Sequence, residues 1–423
     1  MPGNTRGSAS GEGRGRPALA LLSVGHGCVD VYQGAVAALV PFFVAERAYS
    51  YAAASGLVLA ASLLSSVAQP LFGALTDRRA LPWLLPASTL LAGWGIALSG
   101  LSASYALTLL CVAVSGIGVA AYHPESARVA RLASRGRHSA MGWFSLGGNV
   151  GFAVAPLMVA AVAGLGGLGY SPLFVLPAVL GGALYLPAAR ALGASGRSAD
   201  GAAPRPGTDD MRSFVRLSLV VICRSVAFVG LSTFLSLFAQ ERTGGGTPAG
   251  TAALFVLYLG GAVGTVLGGN LANRWGRVAV VRWAYLVAVA AVAGTVFVPG
   301  PGLYVCVALT SAGLYVPFSL QVTLGQDYLP TRVGTASGVT LGLTVSVGGL
   351  AGPGVGALAD ATSLQTALAP LIAMPALAWL LARTLPEPGR PRPTRTDGGT
   401  TSRPPLASPS PPAPPAPPAP PAG

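Results

Sequence analysis

Charge is scarce in this sequence: 9% of its 423 residues are Asp, Glu, Lys or Arg, against about 25% in a soluble globular protein. A soluble domain so poor in charge could not cover its surface. A disordered chain would not be 52% hydrophobic with a mean hydropathy of +0.62. Lysine is absent, so all 26 basic residues are arginine. Cysteine is rare too. Cys28, Cys111, Cys223 and Cys306 each sit in an apolar run, with no CxxC and no metal-ligand spacing. That excludes a disulfide framework or a zinc finger and leaves buried free thiols. The sequence also lacks a GxxxxGK[ST] phosphate loop, an HExxH helix and a GxSxG elbow, the signatures that would mark an enzyme. Gly116-Ile-Gly118 reads as small-residue packing. No cofactor and no metal is called for. Lipid is the expected solvent.

What is present is a series of long apolar runs. A bilayer core of ~30 Å takes about 20 residues of helix. Runs of that kind lie at 19–44, 52–74, 81–101, 107–121, 140–163 and 173–192, and again at 215–239, 251–271, 278–298, 303–322, 334–357 and 364–385. They are too long and too uniformly apolar for barrel strands. The first carries His26, Asp30 and Gln33, which makes a poor signal-peptide core. The expected class is therefore all-α integral membrane, with twelve transmembrane helices. The expected organisation is a tail at 1–17, six-helix bundles at 18–193 and 213–385, a polar linker at 194–212 and a Pro-rich tail at 386–423. The Ala-Pro-Pro repeats of that tail favour extended polyproline II.

The arginines set an expected orientation. With twelve spans, the termini and alternate connections share one side, and that side holds all but three of the 26 arginines. Arg47 and Arg242 fall on the other side and Arg224 within a span. By the positive-inside rule, both termini are cytoplasmic. The net charge of +13 is thereby accounted for, and nucleic acid is not needed as a partner.

The halves resemble each other at an offset near 195. Pro41-Phe-Phe-Val-Ala-Glu46-Arg47 parallels Ser236-Leu-Phe-Ala-Gln-Glu241-Arg242, and Cys111-Val-Ala parallels Cys306-Val-Ala. Each half has an even number of spans, so the repeats are parallel, with a cavity expected between them. Twelve spans in two sixes, a long central loop and Gly73-Ala-Leu-Thr-Asp77-Arg78-Arg79 after the second span resemble the major facilitator superfamily. Its fosmidomycin-resistance branch is the closer likeness. The matching strings are His26-Gly-Cys-Val-Asp30-Val-Tyr32-Gln33-Gly34, Gln69-Pro70, Tyr122-His123-Pro124-Glu125-Ser-Ala-Arg128 and Gly147-Gly148-Asn149-Val-Gly151. The resemblance implies a proton-driven exporter of a small organic compound such as an antibiotic, monomeric in the bilayer. An uptake symporter on the same fold, and a membrane receptor using its Pro-rich tail, are the alternatives. That branch's antiporting relatives in the wider superfamily often carry an Arg early in span 4, where Val112 stands here.

Few residues could carry chemistry. Asp30 lies ~16 Å into the first span and Arg224 ~14 Å into the seventh, both near mid-depth, where charge is costly and usually faces a cavity or a partner. By the resemblance the two face each other, either as proton and substrate seats or as a permanent salt bridge joining the halves. His26, Asp30 and Gln33 share one helix face. His26 could equally be a satisfied core histidine. His123 and Glu125 form a candidate relay, and Pro124 between them should kink the span. Helix-surface pairing of Glu125 with Arg128 and Arg131 is the other reading. Asp77, Arg78 and Arg79 read as a gate, with Asn273 and Arg274 a weaker counterpart and Asp327 and Arg332 a further loop of that kind. Gly73 opens the gate motif. Gly148, Asn149, Gly151, Gly348, Gly352 and Pro353 fall in small-residue strings that let helices approach closely.

Overall fold

A computed structural model describes residues 9–79, 81–134, 138–192 and 207–388. The segments 1–8, 193–206 and 389–423, and with them most of the expected tails and linker, lie outside the described residues. Every described element is helical. The first set is α1 (Ala9–Arg47), α2 (Tyr51–Arg78), α3 (Leu84–Ser99), α4 (Tyr105–Ser134), α5 (His138–Ala163) and α6 (Leu176–Leu192). The second set is α7 (Met211–Thr243), α8 (Gly246–Trp275), α9 (Arg277–Phe297), α10 (Gly302–Tyr328) and α11 (Val333–Ala361), followed by the short α12 (Leu364–Leu368) and α13 (Ala373–Ala382). Among the described residues, eleven spans are long and apolar enough to cross a membrane, and α3 is a shorter apolar helix. The two sets are parallel six-span repeats.

Prolines and caps explain the boundaries. α1 begins at Ala9, ahead of the expected start, and continues through Pro17 and Pro41. The sixth span opens as a 3-10 stretch, Gly167–Val175, with Pro172 inside it. The twelfth is broken between α12 and α13 by the 3-10 turn Ala369–Ile372, which contains Pro370, because proline removes a helix hydrogen bond. The Asp210 carboxylate caps α7 by accepting from the Ser213 N–H at 3.0 Å, and Gly244 closes the helix in the left-handed region at φ 67°.

Within the first set α1 packs on α5 and α6, and α3 on α4. Within the second, α7 packs on α11 and α13, and α10 on α8 and α9. The sets meet through α2 with α11 and α5 with α8. Small residues decide how close α1 and α5 come. A Cβ on Gly151 would collide with the Gly27 carbonyl, and one on Gly147 with Ser23 backbone. Large apolar side chains such as Leu71, Leu107, Val305 and Leu180 are exposed on the outside, as lipid-facing positions must be. Trp83, Trp143, Trp275 and Trp283 are exposed towards the arginine-rich end, where a membrane interface places tryptophan.

Candidate functional site

Between the two sets lies a cavity of about 790 Å³, lined by α1, α2, α4, α5, α7, α8, α10 and α11. Towards the arginine-rich end its lining includes Ser145, Thr323 and Leu341, all exposed. Its deep end is walled by Tyr32, Tyr258 and Arg224, all almost fully buried. The opposite end of the protein is shut. There the Asp360 carboxylate at the end of α11 accepts from the Tyr51 N–H at 2.8 Å and the Ala52 N–H at 2.9 Å. The Tyr51 hydroxyl donates to Glu241 on α7 at 3.2 Å. A carboxylate at the first turn of α2 satisfies N–H groups that have no partner inside the helix.

Three of the expected site residues converge on one wall of the cavity. Asp30 is flanked by His26 Nε2, 3.2 Å from Oδ2, and by His123 Nε2, 3.2 Å from Oδ1. His26 and Asp30 come one turn apart on α1, whereas His123 arrives from α4. Each imidazole is fixed from behind: His26 Nδ1 lies 2.9 Å from the Phe144 carbonyl and His123 Nδ1 2.8 Å from the Val119 carbonyl. A carbonyl can only accept, so each Nδ1 carries a proton and donates it there, and Nε2 is the nitrogen that each ring turns towards the Asp30 carboxylate. The Phe144 ring also stacks on His26 at 4.3 Å. Gln33 lines the same cavity. So does Asn149, read from the sequence as a packing residue.

Arg224 departs from the expected arrangement. It lines the same cavity as Asp30, but the two charges do not form a salt bridge. Its Nε donates to the Leu314 carbonyl at 2.6 Å, and its guanidinium carbon lies 4.9 Å from the Phe318 ring centre, with Tyr315 and Phe228 at 5.7 and 5.8 Å. Among the described residues no carboxylate pairs with it, and its Nη1 is buried without a partner. Aromatic faces supply the negative surface that a carboxylate would otherwise give. Asp30 and Arg224 thus line one cavity without forming the expected salt bridge.

Glu125 also departs. It is fully buried, does not line the cavity, and is bound by both Nε and Nη2 of Arg128. Glu125 thus pairs with Arg128 at i,i+3 in the interior rather than on the helix surface, and the carboxylate that His123 meets is Asp30. Pro124 lies inside α4. Of the gate residues, Asp77 and Arg78 have side chains outside the described residues, Arg79 is exposed, and Asn273 and Arg274 are exposed at the end of α8. Gly73 faces Pro124 at 4.0 Å. Asp327 pairs with Arg277 at 2.7 Å, and Glu387 accepts from the Arg277 and Val278 N–H groups at the start of α9. Arg332 pairs with Asp209 at 3.2 Å. The Thr331 hydroxyl, with Arg332 nearby, holds the Asp209 carboxyl below the ordinary carboxylate range. The described ion pairs at the arginine-rich end stay within one set, whereas Tyr51, Glu241 and Asp360 give polar contacts between the halves at the opposite end. Sequence reasoning missed that latch. It also missed the aromatic wall around Arg224, whose sequence traces are Phe228 at i+4 from Arg224 and the spacing of Tyr315 and Phe318 on one helix face. Gly348 accepts no side chain, since its Cβ would meet the Ser225 carbonyl, and Gly352 faces Ser55 across the halves. Pro353 lies within α11.

Residues 22–353 match the sequence profile of the Major Facilitator Superfamily. The chain belongs to that superfamily. It is therefore a secondary transporter of small molecules, a multi-pass protein of the plasma membrane, and not an enzyme. It is 29% identical over 357 residues to the Fosmidomycin resistance protein of Escherichia coli (strain K12), covering 82% of this chain and 87% of that one. It is 30% identical over 382 residues to the uncharacterized MFS-type transporter YfnC of Bacillus subtilis (strain 168), covering 88% and 93%. Among solved structures it resembles a bacterial homologue of the human lysosomal transporter Spinster in an inward-facing and occupied conformation. There the TM-score is 0.71 at 18% identity, covering 86% of this chain and 96% of that one. The fold of this major facilitator is thereby established.

Proposed function

We propose that this major facilitator exports a small organic compound carrying an acidic group, such as a phosphonate antibiotic, in exchange for protons. The observation that carries the reading is the presence of two separate charged seats in one cavity. Asp30 with His26 and His123 offers a place where protons are taken up and released. Arg224, buried with an unpartnered Nη1, offers a fixed positive charge for an anion. Likeness to a Fosmidomycin resistance protein supports efflux of an antibiotic of this kind.

The mechanism follows from where the charges sit. A proton on Nε2 of either ring makes an ion pair with Asp30 and its loss breaks that pair, so the cluster can hold and release protons. Bringing an anion to Arg224 changes the field across the same cavity and so alters proton affinity at Asp30. The arginine-rich end faces the cytoplasm, so the cavity described above is the inward-open state, closed outside by the Tyr51–Asp360 contacts. Rocking of the six-span bodies 18–193 and 213–385 about the cavity exposes it alternately. The protein works as a monomer. The direct test is uptake of radiolabelled fosmidomycin into inverted membrane vesicles on imposing an inside-acid pH gradient. Accumulation that collapses with a protonophore supports the reading. Accumulation only when the gradient runs the other way makes the protein a symporter and overturns it.

A further inference from the structure

We propose that His26, Asp30 and His123 also form a binding site for a single divalent d-block cation of the zinc class. Two imidazole Nε2 atoms and a carboxylate meet in one space, all their ligand atoms within 4.8 Å of one another. Each Nε2 stands 3.2 Å from a carboxylate oxygen, close to the ~3.3 Å that separates two ligands at ~2.0–2.1 Å from a tetrahedral zinc ion. The ligands come from α1 and α4, and backbone hydrogen bonding within those helices fixes their spacing.

The ring orientations are already those a metal requires. The Phe144 and Val119 carbonyls hold the Nδ1 protons, so Nε2 is the nitrogen each ring presents to the cluster, and a metal binding there displaces any proton it carries. Metal-bound histidines are oriented in the same way by a carbonyl behind the ring. Asp30 supplies a second, independent sign. Its residue is 91% buried by its 9% exposure, and Oδ1 lacks a hydrogen bond of acceptable geometry. A cation placed between the two Nε2 atoms and the carboxylate would meet a donor from each of the three side chains. A harder ion such as magnesium prefers oxygen ligands and retains its water, so the donor set selects zinc, cobalt or copper over it. The carboxylate and both rings line the cavity, leaving the remaining coordination positions to water.

The site can be tested without substrate or gradient, on the full chain purified in detergent with an affinity tag that contains no histidine. Isothermal titration with ZnCl2 should give one ion per chain, and MgCl2 should give no binding at the same concentrations. Asp30→Asn and His123→Gln should each weaken zinc binding at least about tenfold. CoCl2 should give the visible absorption of a four- or five-coordinate ion. In a background without the four native cysteines, His123→Cys should add a thiolate-to-cobalt charge-transfer band that Asp30→Asn/His123→Cys weakens. Absence of zinc binding to the unaltered chain would overturn the proposal. Equal affinity for magnesium, unchanged zinc affinity in the variants, or cobalt binding to His123→Cys without the new band would do so as well.

Discussion

His123 Nε2 on α4 stands 3.2 Å from Asp30 Oδ1 on α1. This contact joins two helices far apart in sequence and makes a three-residue cluster out of what is a single helix face on α1. Asp30→Asn should leave the protein in the membrane and lower gradient-driven transport at least about tenfold, roughly 1.4 kcal/mol in the barrier. Exchange of labelled for unlabelled substrate, which needs no net proton movement, should persist. His123→Gln should show the same split. Vesicle flux measured with and without a pH gradient checks both, and full gradient-driven transport in either variant would assign coupling elsewhere.

Arg224 binds through geometry as well as charge. Arg224→Lys keeps the cation but loses the planar group that bonds Leu314 and lies among three rings. Affinity for an anionic substrate should fall about tenfold, and about 100-fold in Arg224→Ala. Because Arg224 and Asp30 are not paired, Asp30→Asn/Arg224→Ala should be no better than the worse single variant. Equilibrium binding with fosmidomycin reads the first two effects. Recovery of transport in the double variant would restore the salt-bridge reading.

The Tyr51–Asp360 contacts hold one end shut. Asp360→Asn weakens two hydrogen bonds to the start of α2, exposed ones whose loss should cost about 1–1.4 kcal/mol, up to a tenfold shift in the two-state ratio. Spin labels on Ser104→Cys and Gly245→Cys, in a background without the four native cysteines, should report a larger population of long distances in pulsed electron resonance. An unchanged distribution would show that packing between α2 and α11 alone holds this end.

Orientation is checked by labelling whole cells. Gly245→Cys should react with an impermeant maleimide, and Thr208→Cys should react only after the membrane is opened. Labelling of Thr208→Cys in intact cells would reverse the assignment of the arginine-rich end.

Amino-acid sequence alone determined the solvent, the number of spans and the doubling of the chain. Those properties are local and additive. A run such as 215–239 is apolar wherever it packs, and backbone groups in lipid must be satisfied within the helix. It also singled out Asp30 and Arg224, because an ionisable residue inside a span is conspicuous without any structure. Only the tertiary structure decided their partners. Asp30 meets His123 rather than Arg224 because Gly148 and Gly151 bring α5 against α1, and α4 packs on α1 from another side. Phe228 lies one turn from Arg224 on α7, but Tyr315 and Phe318 reach it because α10 packs on α7 at that depth. Asp360 and Tyr51 touch only when the two halves close at one end. Side-chain pairing between helices depends on crossing angle, rotation and distance, and no single span encodes any of the three.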